Sequence, residues 1–182
     1  NIVQKHYFLV AKVTFEIKLF NMVNIKKIIV TGSSSGIGNS ITKTLIKNKI
    51  KVIGISRNKD KNVIKSKYFQ SEEMDLSELK NIPMKIEKVL DENEDVEGLI
   101  SCAGVGNFGN IENFSVDKIL SSIHTNLLSH VILTKYLVPF LKKKNKGNLI
   151  YIGSESALNG GKKGSLYSAA KFGLRGFTQS IR

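Results

Sequence analysis

Acidic residues, cysteine, proline and long apolar runs are all scarce in this chain of 182 residues. A single cysteine, Cys102, excludes an internal disulfide, and a small buried packing role suits it better than a reactive thiol. The apolar residues never run uninterrupted for the roughly eighteen positions that a membrane-spanning helix needs, so no span is expected and the cytoplasm is the default location. Two prolines, no internal repeat and no low-complexity linker leave one domain as the expected organisation. Acids number 15 against 28 Lys and Arg, a formal charge of +13. Such a balance could serve nucleic acid, but the lysines are scattered and aromatics that could stack bases are not interleaved with them. The longest basic run, Lys142-Lys143-Lys144, falls at the end of a predicted helix, where cations suit the dipole. No nucleic-acid partner is expected.

What is present is a series of short β-branched runs, each followed by a helical pattern. Residues 25–30, 50–56, 66–70, 96–101 and 147–153 read as strands. Helices are expected at 36 onward, at 76–93 with a kink at Pro83, at 116–143 in two pieces, and through Tyr167. Strands alternating with helices give a doubly wound parallel α/β sheet of Rossmann-like type, order 3-2-1-4-5. Residues 1–24 stand apart as an N-terminal extension, and 25–182 form the domain. Apolar residues alternate from Ala11 to Leu19, which is strand periodicity and would make an added edge strand. Equally, Met22 resembles a natural start and the preceding residues would then have no folding role.

The run TGSSSGIG, residues 31–38, sits between the first strand and a helix with Ile37, Ile41 and Leu45 on one face. That context makes it a phosphate cradle: Gly32 permits a tight turn, Gly36 lets the backbone approach a pyrophosphate, and Gly38 lets the helix pack closely on its strand. Free N–H groups at the helix start face the anion, and Ser33, Ser34 and Ser35 are further donors. A Ser/Gly loop without a ligand is the competing interpretation. One missing acid is informative here. Where an NAD site carries a carboxylate at the end of the second strand, this chain has Ser56-Arg57, and a guanidinium can pair with a 2′-phosphate, so NADP is expected over NAD.

Tyr167 stands four residues before Lys171, and of the five tyrosines only this one has a Lys at that offset. Residues so spaced share a helix face. Bringing a phenol from a pKa of about 10 close to neutrality requires roughly 4 kcal/mol. A cation about 5 Å away contributes on the order of 3 kcal/mol at an effective dielectric of about 20. Ser154, thirteen residues upstream of Tyr167, places a hydroxyl where a strand leaves its sheet, the edge at which open α/β sheets bind ligands.

With these motifs, and with Asp75-Leu76, SCAG at 101–104 and Asn126 in HTNLLS, the chain from Ile25 to Arg182 resembles the classical short-chain dehydrogenase/reductase family. The resemblance implies an NAD(P)-dependent oxidoreductase interconverting a carbonyl and an alcohol, with small-molecule substrates and a homo-oligomeric full-length form. Tyr167 is then the general acid/base and Lys171 the residue that lowers its pKa and holds the nicotinamide ribose. Ser154 hydrogen-bonds the substrate carbonyl, and Asn126 holds a water in a proton relay. Asp75 and Leu76 contact the adenine, while Ala103 and Gly104 line the cofactor. A 3-oxoacyl carrier-protein reductase is one candidate, with Lys162 and Lys163 placed to meet an acidic carrier. The chain departs from the family in having Ser101-Cys102 for the usual Asn-Asn, which implies weaker hydrogen bonding there. It also stops where the family continues into further strands. A cofactor-binding but catalytically incompetent fragment, with the edge of its fifth strand open, is the alternative that this implies. Three glycines between Gly104 and Asn110 predict a mobile loop beside the nicotinamide, and His124 and His130 read as ordinary helix residues.

Overall fold

Parallel pairing dominates the computed structural model, which describes residues 5–9, 25–58 and 64–181. Strands β1 (Lys5–Leu9), β2 (Lys27–Thr31), β3 (Lys51–Ser56), β4 (Phe69–Glu73), β5 (Val96–Ser101) and β6 (Asn148–Ile152) form one sheet in the order β1-β6-β5-β2-β3-β4. All neighbours run parallel. The five strands expected from the sequence lie in the expected 3-2-1-4-5 order. Beyond them β1 pairs with β6, Lys5 opposite Asn148 through Leu9 opposite Ile152. The edge expected to be open is therefore paired, because a buried strand's free N–H and C=O groups are satisfied by any backbone that can run beside it. The alternating stretch from Ala11 to Leu19 lies outside the described residues.

Side chains alternate across the pleat and feed two cores. Ile29, Ile53, Ile55, Leu99, Leu149 and Tyr151 point to the face covered by helices α2 (Ile82–Asp91), α4 (Ser129–Lys143) and α5 (Ser165–Ser180). Ile28, Val30, Val52, Ile100 and Ile152 point the other way, toward Ile41 and Leu45 of helix α1 (Gly36–Lys47). Each fully buried Ile or Leu contributes roughly 1.5–3 kcal/mol, so both faces of the central strands are strongly held. The ends of those strands, where the site lies, are correspondingly fixed.

Two expectations shift and a third gains detail. The third expected strand starts at Phe69 rather than residue 66, since Ser66 is taken up in a turn, its carbonyl accepting from Phe69 N and its hydroxyl from Tyr68 N. Pro83 does not kink a long helix. It sits in the first turn of α2, where a missing N–H leaves no bond unmade, after a short 3₁₀ turn at Leu79–Asn81. The 116–143 helix does come in pieces: helix α3 (Val116–Ile123), capped by Ser115 Oγ accepting from Lys118 N, then a π-helical turn at His124–Leu128, then α4. Asn126 is in that π turn, a widened stretch of the kind that re-aims a side chain.

Candidate active site

The glycine-rich turn is built from backbone. Gly32 adopts φ +70°, and a Cβ there would lie 3.0 Å from Ala103 Cα, so the turn presses on the end of β5. A Cβ on Gly38 would fall 2.3 Å from the Gly32 carbonyl oxygen, which seats the first turn of α1 directly on the loop. Gly36 adopts φ +52° with nothing within 4 Å of its would-be Cβ, leaving open space above the start of α1. Thr31, to which sequence reasoning gave no role, locks this corner: its Oγ1 accepts from Cys102 N at 2.9 Å and Ala103 N at 3.0 Å. A β-branched residue ending a strand reads as packing, so only the neighbouring strand reveals its function.

Gly32, Ser34, Ser35, Arg57, Asp75, Leu76, Ala103 and Gly104 line one open cleft, together with Ser56, Val105 and Thr125. Eight of the expected cofactor contacts thus converge from four strand ends. Ser33 does not line this cleft. It is fully buried with its hydroxyl directed at the Ile55 carbonyl, because β3 passes directly beneath and Gly54 leaves it room. Ile37 is partly exposed on α1, and neither it, Gly36 nor Gly38 lines the cleft itself. The Asp75 carboxylate accepts from Ser77 N and Ser77 Oγ at 2.8 and 2.7 Å, an Asx turn that fixes its orientation.

At the other side of the sheet edge, side chains converge. Lys171 is almost wholly buried in α5, and its Nζ donates to the Ile152 carbonyl at 2.9 Å. The same Nζ lies 5.7 Å from the centroid of the Tyr167 ring. Burial lowers the Lys171 pKa from its ordinary value, with Cys102 acting in the opposite direction. A Cβ added at Gly104 would sit 2.9 Å from Asn126 Oδ1 and 3.9 Å from Lys171 Nζ, so Gly104, Asn126 and Lys171 form one corner. Ser154 lies two residues beyond Ile152. Its hydroxyl accepts from Ser156 N at 3.1 Å and caps a short 3₁₀ turn, Glu155–Ala157.

Asn126 is fully buried, and its amide is committed to protein partners. Oδ1 accepts from Val105 N at 2.9 Å, while Nδ2 donates to the Val105 carbonyl at 3.0 Å and to Ser122. Its side chain therefore fastens the loop after β5. That loop is fixed rather than hanging free, for Gly109 N also donates to the Lys163 carbonyl at 2.7 Å. His130 lies in helix α4, as expected, with a buried environment that the sequence did not indicate. It is fully buried, its Nδ1 pairs with Ser101 Oγ, and its backbone carbonyl accepts from Thr134 Oγ1, which in turn meets Tyr151 Oη. Burial, reinforced by Lys171 and opposed by the Ala103 backbone, pushes the His130 pKa down to about 3. The smaller Ser101 thus trades the usual amide bonding for one to a buried neutral imidazole. Cys102 is partly buried, and desolvation pushes its thiol up to about 11 against the pull of Lys171, as befits a packing residue. Among the described residues no three His, Cys, Asp or Glu side chains cluster as metal ligands, and no helix is long and apolar enough to cross a membrane.

Comparison with known proteins agrees with this architecture. The family model described as short chain dehydrogenase matches residues 26–182. The NADP-dependent 3-hydroxy acid dehydrogenase of Schizosaccharomyces pombe is 32% identical over 167 residues, covering 86% of this chain and 64% of that protein. The 3-oxoacyl-[acyl-carrier-protein] reductase FabG of Buchnera aphidicola is 32% identical over 163 residues, covering 87% and 67%. The crystal structure of a metagenomic short-chain oxidoreductase in complex with NADP superposes with a TM-score of 0.80 at 27% identity, covering 85% of this chain and 73% of that one. The chain spans about two thirds of the length of these curated relatives. On its motifs, its sheet and this match over residues 26–182, the chain belongs to the short-chain dehydrogenase family.

Proposed function

We propose that this chain carries the cofactor-binding and catalytic part of an NADP-dependent oxidoreductase that interconverts a carbonyl and an alcohol. The observation that carries this proposal is the buried Lys171 amine, pinned to the Ile152 carbonyl, 5.7 Å from the Tyr167 ring and packed near Gly104, which lines the cleft that the glycine-rich turn enters. The residues fit a dinucleotide. Gly36 leaves open space at the start of α1, where free N–H groups favour a pyrophosphate, and the neighbouring cleft, lined by Gly32, Ser34 and Ser35, extends past Arg57 and Asp75 to Gly104. Ser34, Ser35 and the turn backbone would hold the phosphates, Arg57 the 2′-phosphate, Asp75 and Leu76 the adenine end, and Ala103, Gly104 and Lys171 the nicotinamide end. When bound, the nucleotide supplies or accepts a hydride.

Tyr167 Oη gives its proton to the substrate oxygen in the reductive direction and takes it back in the oxidative one. Lys171 keeps its Nζ 5.7 Å from the Tyr167 ring centroid, and its bond to the Ile152 carbonyl stops it swinging toward solvent. Ser154 Oγ, at the end of β6, is the donor that orients the substrate carbonyl. Asn126 holds the loop that bounds the site, in addition to any role for a water at its backbone. The relatives that are 3-hydroxy acid and 3-oxoacyl enzymes favour a substrate with an oxygen on the third carbon of an acyl chain. Lys162 and Lys163, exposed beside the site, suit an acidic carrier for it.

The test is consumption of NADPH with a panel of 3-oxoacyl thioesters and simple ketones, for the wild type and Tyr167→Phe. Turnover should fall by about 10²- to 10⁴-fold in the variant while NADPH affinity, read by its fluorescence, stays the same. Turnover retained by the variant would remove Tyr167 from the chemistry.

A further inference from the structure

Phe108 has no part in either core. It is 64% exposed, unusual for a phenylalanine on so constrained a loop. The loop is fastened at Val105 by two hydrogen bonds to Asn126 and at Gly109 by one to Lys163. Lys163 holds φ +60°, a left-handed conformation that non-glycine residues seldom adopt, and its carbonyl is the acceptor in that bond. Between the two fastenings the Phe108 ring packs on Tyr167, centroids 5.5 Å apart and planes tilted by 51°. Gly164, at the start of α5, brings backbone against the same ring: a Cβ there would lie 3.7 Å from Phe108 Cδ1. One part of the ring is thus spent on Tyr167 and the remainder faces solvent beside the phenol.

We propose that Phe108 sets the substrate class of this site, selecting carbonyl compounds that bear an aryl or extended alkyl group next to the reacting carbonyl; the inference rests on Tyr167 as the proton-transferring residue. With the two rings 5.5 Å apart, a substrate whose carbonyl oxygen reaches Tyr167 Oη can set its neighbouring substituent on the exposed Phe108 ring. An apolar substituent there removes two apolar surfaces from water at once, whereas a small polar ketone buries almost nothing. Since the strap is already ordered, that burial is not offset by the entropy of closing a loop.

The test compares acetophenone, 2-heptanone and acetone as substrates with NADPH. Phe108→Ala should lower kcat/KM for the two larger ketones about tenfold or more and for acetone by less than about twofold, the scale on which apolar pockets discriminate. Phe108→Leu should keep 2-heptanone within about threefold of wild type, since an alkyl wall remains. Val116→Ser, at an exposed position on α3, should change none of the three. Equal losses for all three ketones in Phe108→Ala, or no loss, would overturn the proposal. Absence of wild-type turnover with any carbonyl would instead count against Tyr167 as proton donor. In that event saturation-transfer NMR of the same ketones with NADP present decides separately: apolar ketones bound by wild type but lost in Phe108→Ala support the assignment, and equal binding refutes it.

Discussion

The two sides of the sheet edge are made in different ways. On the β2 side the candidate cradle is backbone: Gly32 and Gly36 at positive φ, Gly38 pressed on the Gly32 carbonyl, and Thr31 tying the corner to β5. On the β6 side the candidate chemistry is side chain: Lys171 and Tyr167 from α5, Asn126 from a π turn and Phe108 from a strap, none of them neighbours in sequence except the first pair. A backbone site fails by distortion, and a side-chain site fails by loss of a group. Substitutions on the first side should therefore be read mainly in stability and cofactor binding, and those on the second mainly in rate.

The largest expected effect is on the side-chain half. Lys171→Met should lower kcat/KM by about 10²- to 10⁴-fold, through loss of the buried side chain held beside the Tyr167 ring. Its thermal midpoint should not fall in proportion, since removing a buried cation also removes its desolvation cost. A midpoint collapse with activity per folded molecule intact would reverse the contrast. On the backbone half, Gly38→Ala should destabilise by about 3 kcal/mol or more, because its methyl would overlap a carbonyl that cannot move without opening the turn. Gly36→Ala, with free space around it and only φ +52° against it, should cost about 1–2 kcal/mol. Denaturant unfolding of the two variants separates close contact from conformational strain.

His130 lies between the two halves, behind β5, and offers a pH test. Its folded pKa of about 3 is below the unfolded value near 6.5, so the folded state binds this proton less well. The associated stability is complete above pH 6.5 and is lost as pH falls toward 3, at about 1.4 kcal/mol per pH unit in the middle of that window. His130→Leu should be flatter than wild type by that slope between pH 6 and 4, whatever its stability at neutral pH. Parallel curves would mean that the imidazole is not kept neutral by burial. The smallest effect belongs to the cleft mouth: Arg57→Ala should reduce the preference for NADP over NAD by about tenfold, the scale of one charge-assisted contact, as measured by the ratio of dissociation constants. An unchanged ratio would detach Arg57 from cofactor choice.

Much of this was legible in the sequence where the information is local. β-Branched runs and helical spacing mark the strands and helices, and the five-strand order follows from right-handed crossovers between them. The Gly spacing and the Tyr-Lys offset are likewise short-range. Other features were not legible because the partner lies far along the chain. Thr31 meets residues 102 and 103, and Ser33 is turned inward by Gly54 across the sheet. Asn126 reaches Val105 because a π turn alters the helical register, which a period of 3.6 does not foretell. His130 is held neutral by burial behind β5, where its Nδ1 meets Ser101 Oγ, a partner 29 residues away.

By itself, then, the sequence determined the parallel α/β alternation, the glycine turn with its positive φ, and the placing of Tyr167 and Lys171 on one helical face, since each depends on residues a few positions apart. Only the tertiary structure decided that β1 covers the edge of β6, that the loop after β5 is strapped down, and that Phe108 stands against Tyr167. Those outcomes depend on which backbones and rings come within a few ångströms after the sheet has assembled, and no short-range pattern encodes that distance.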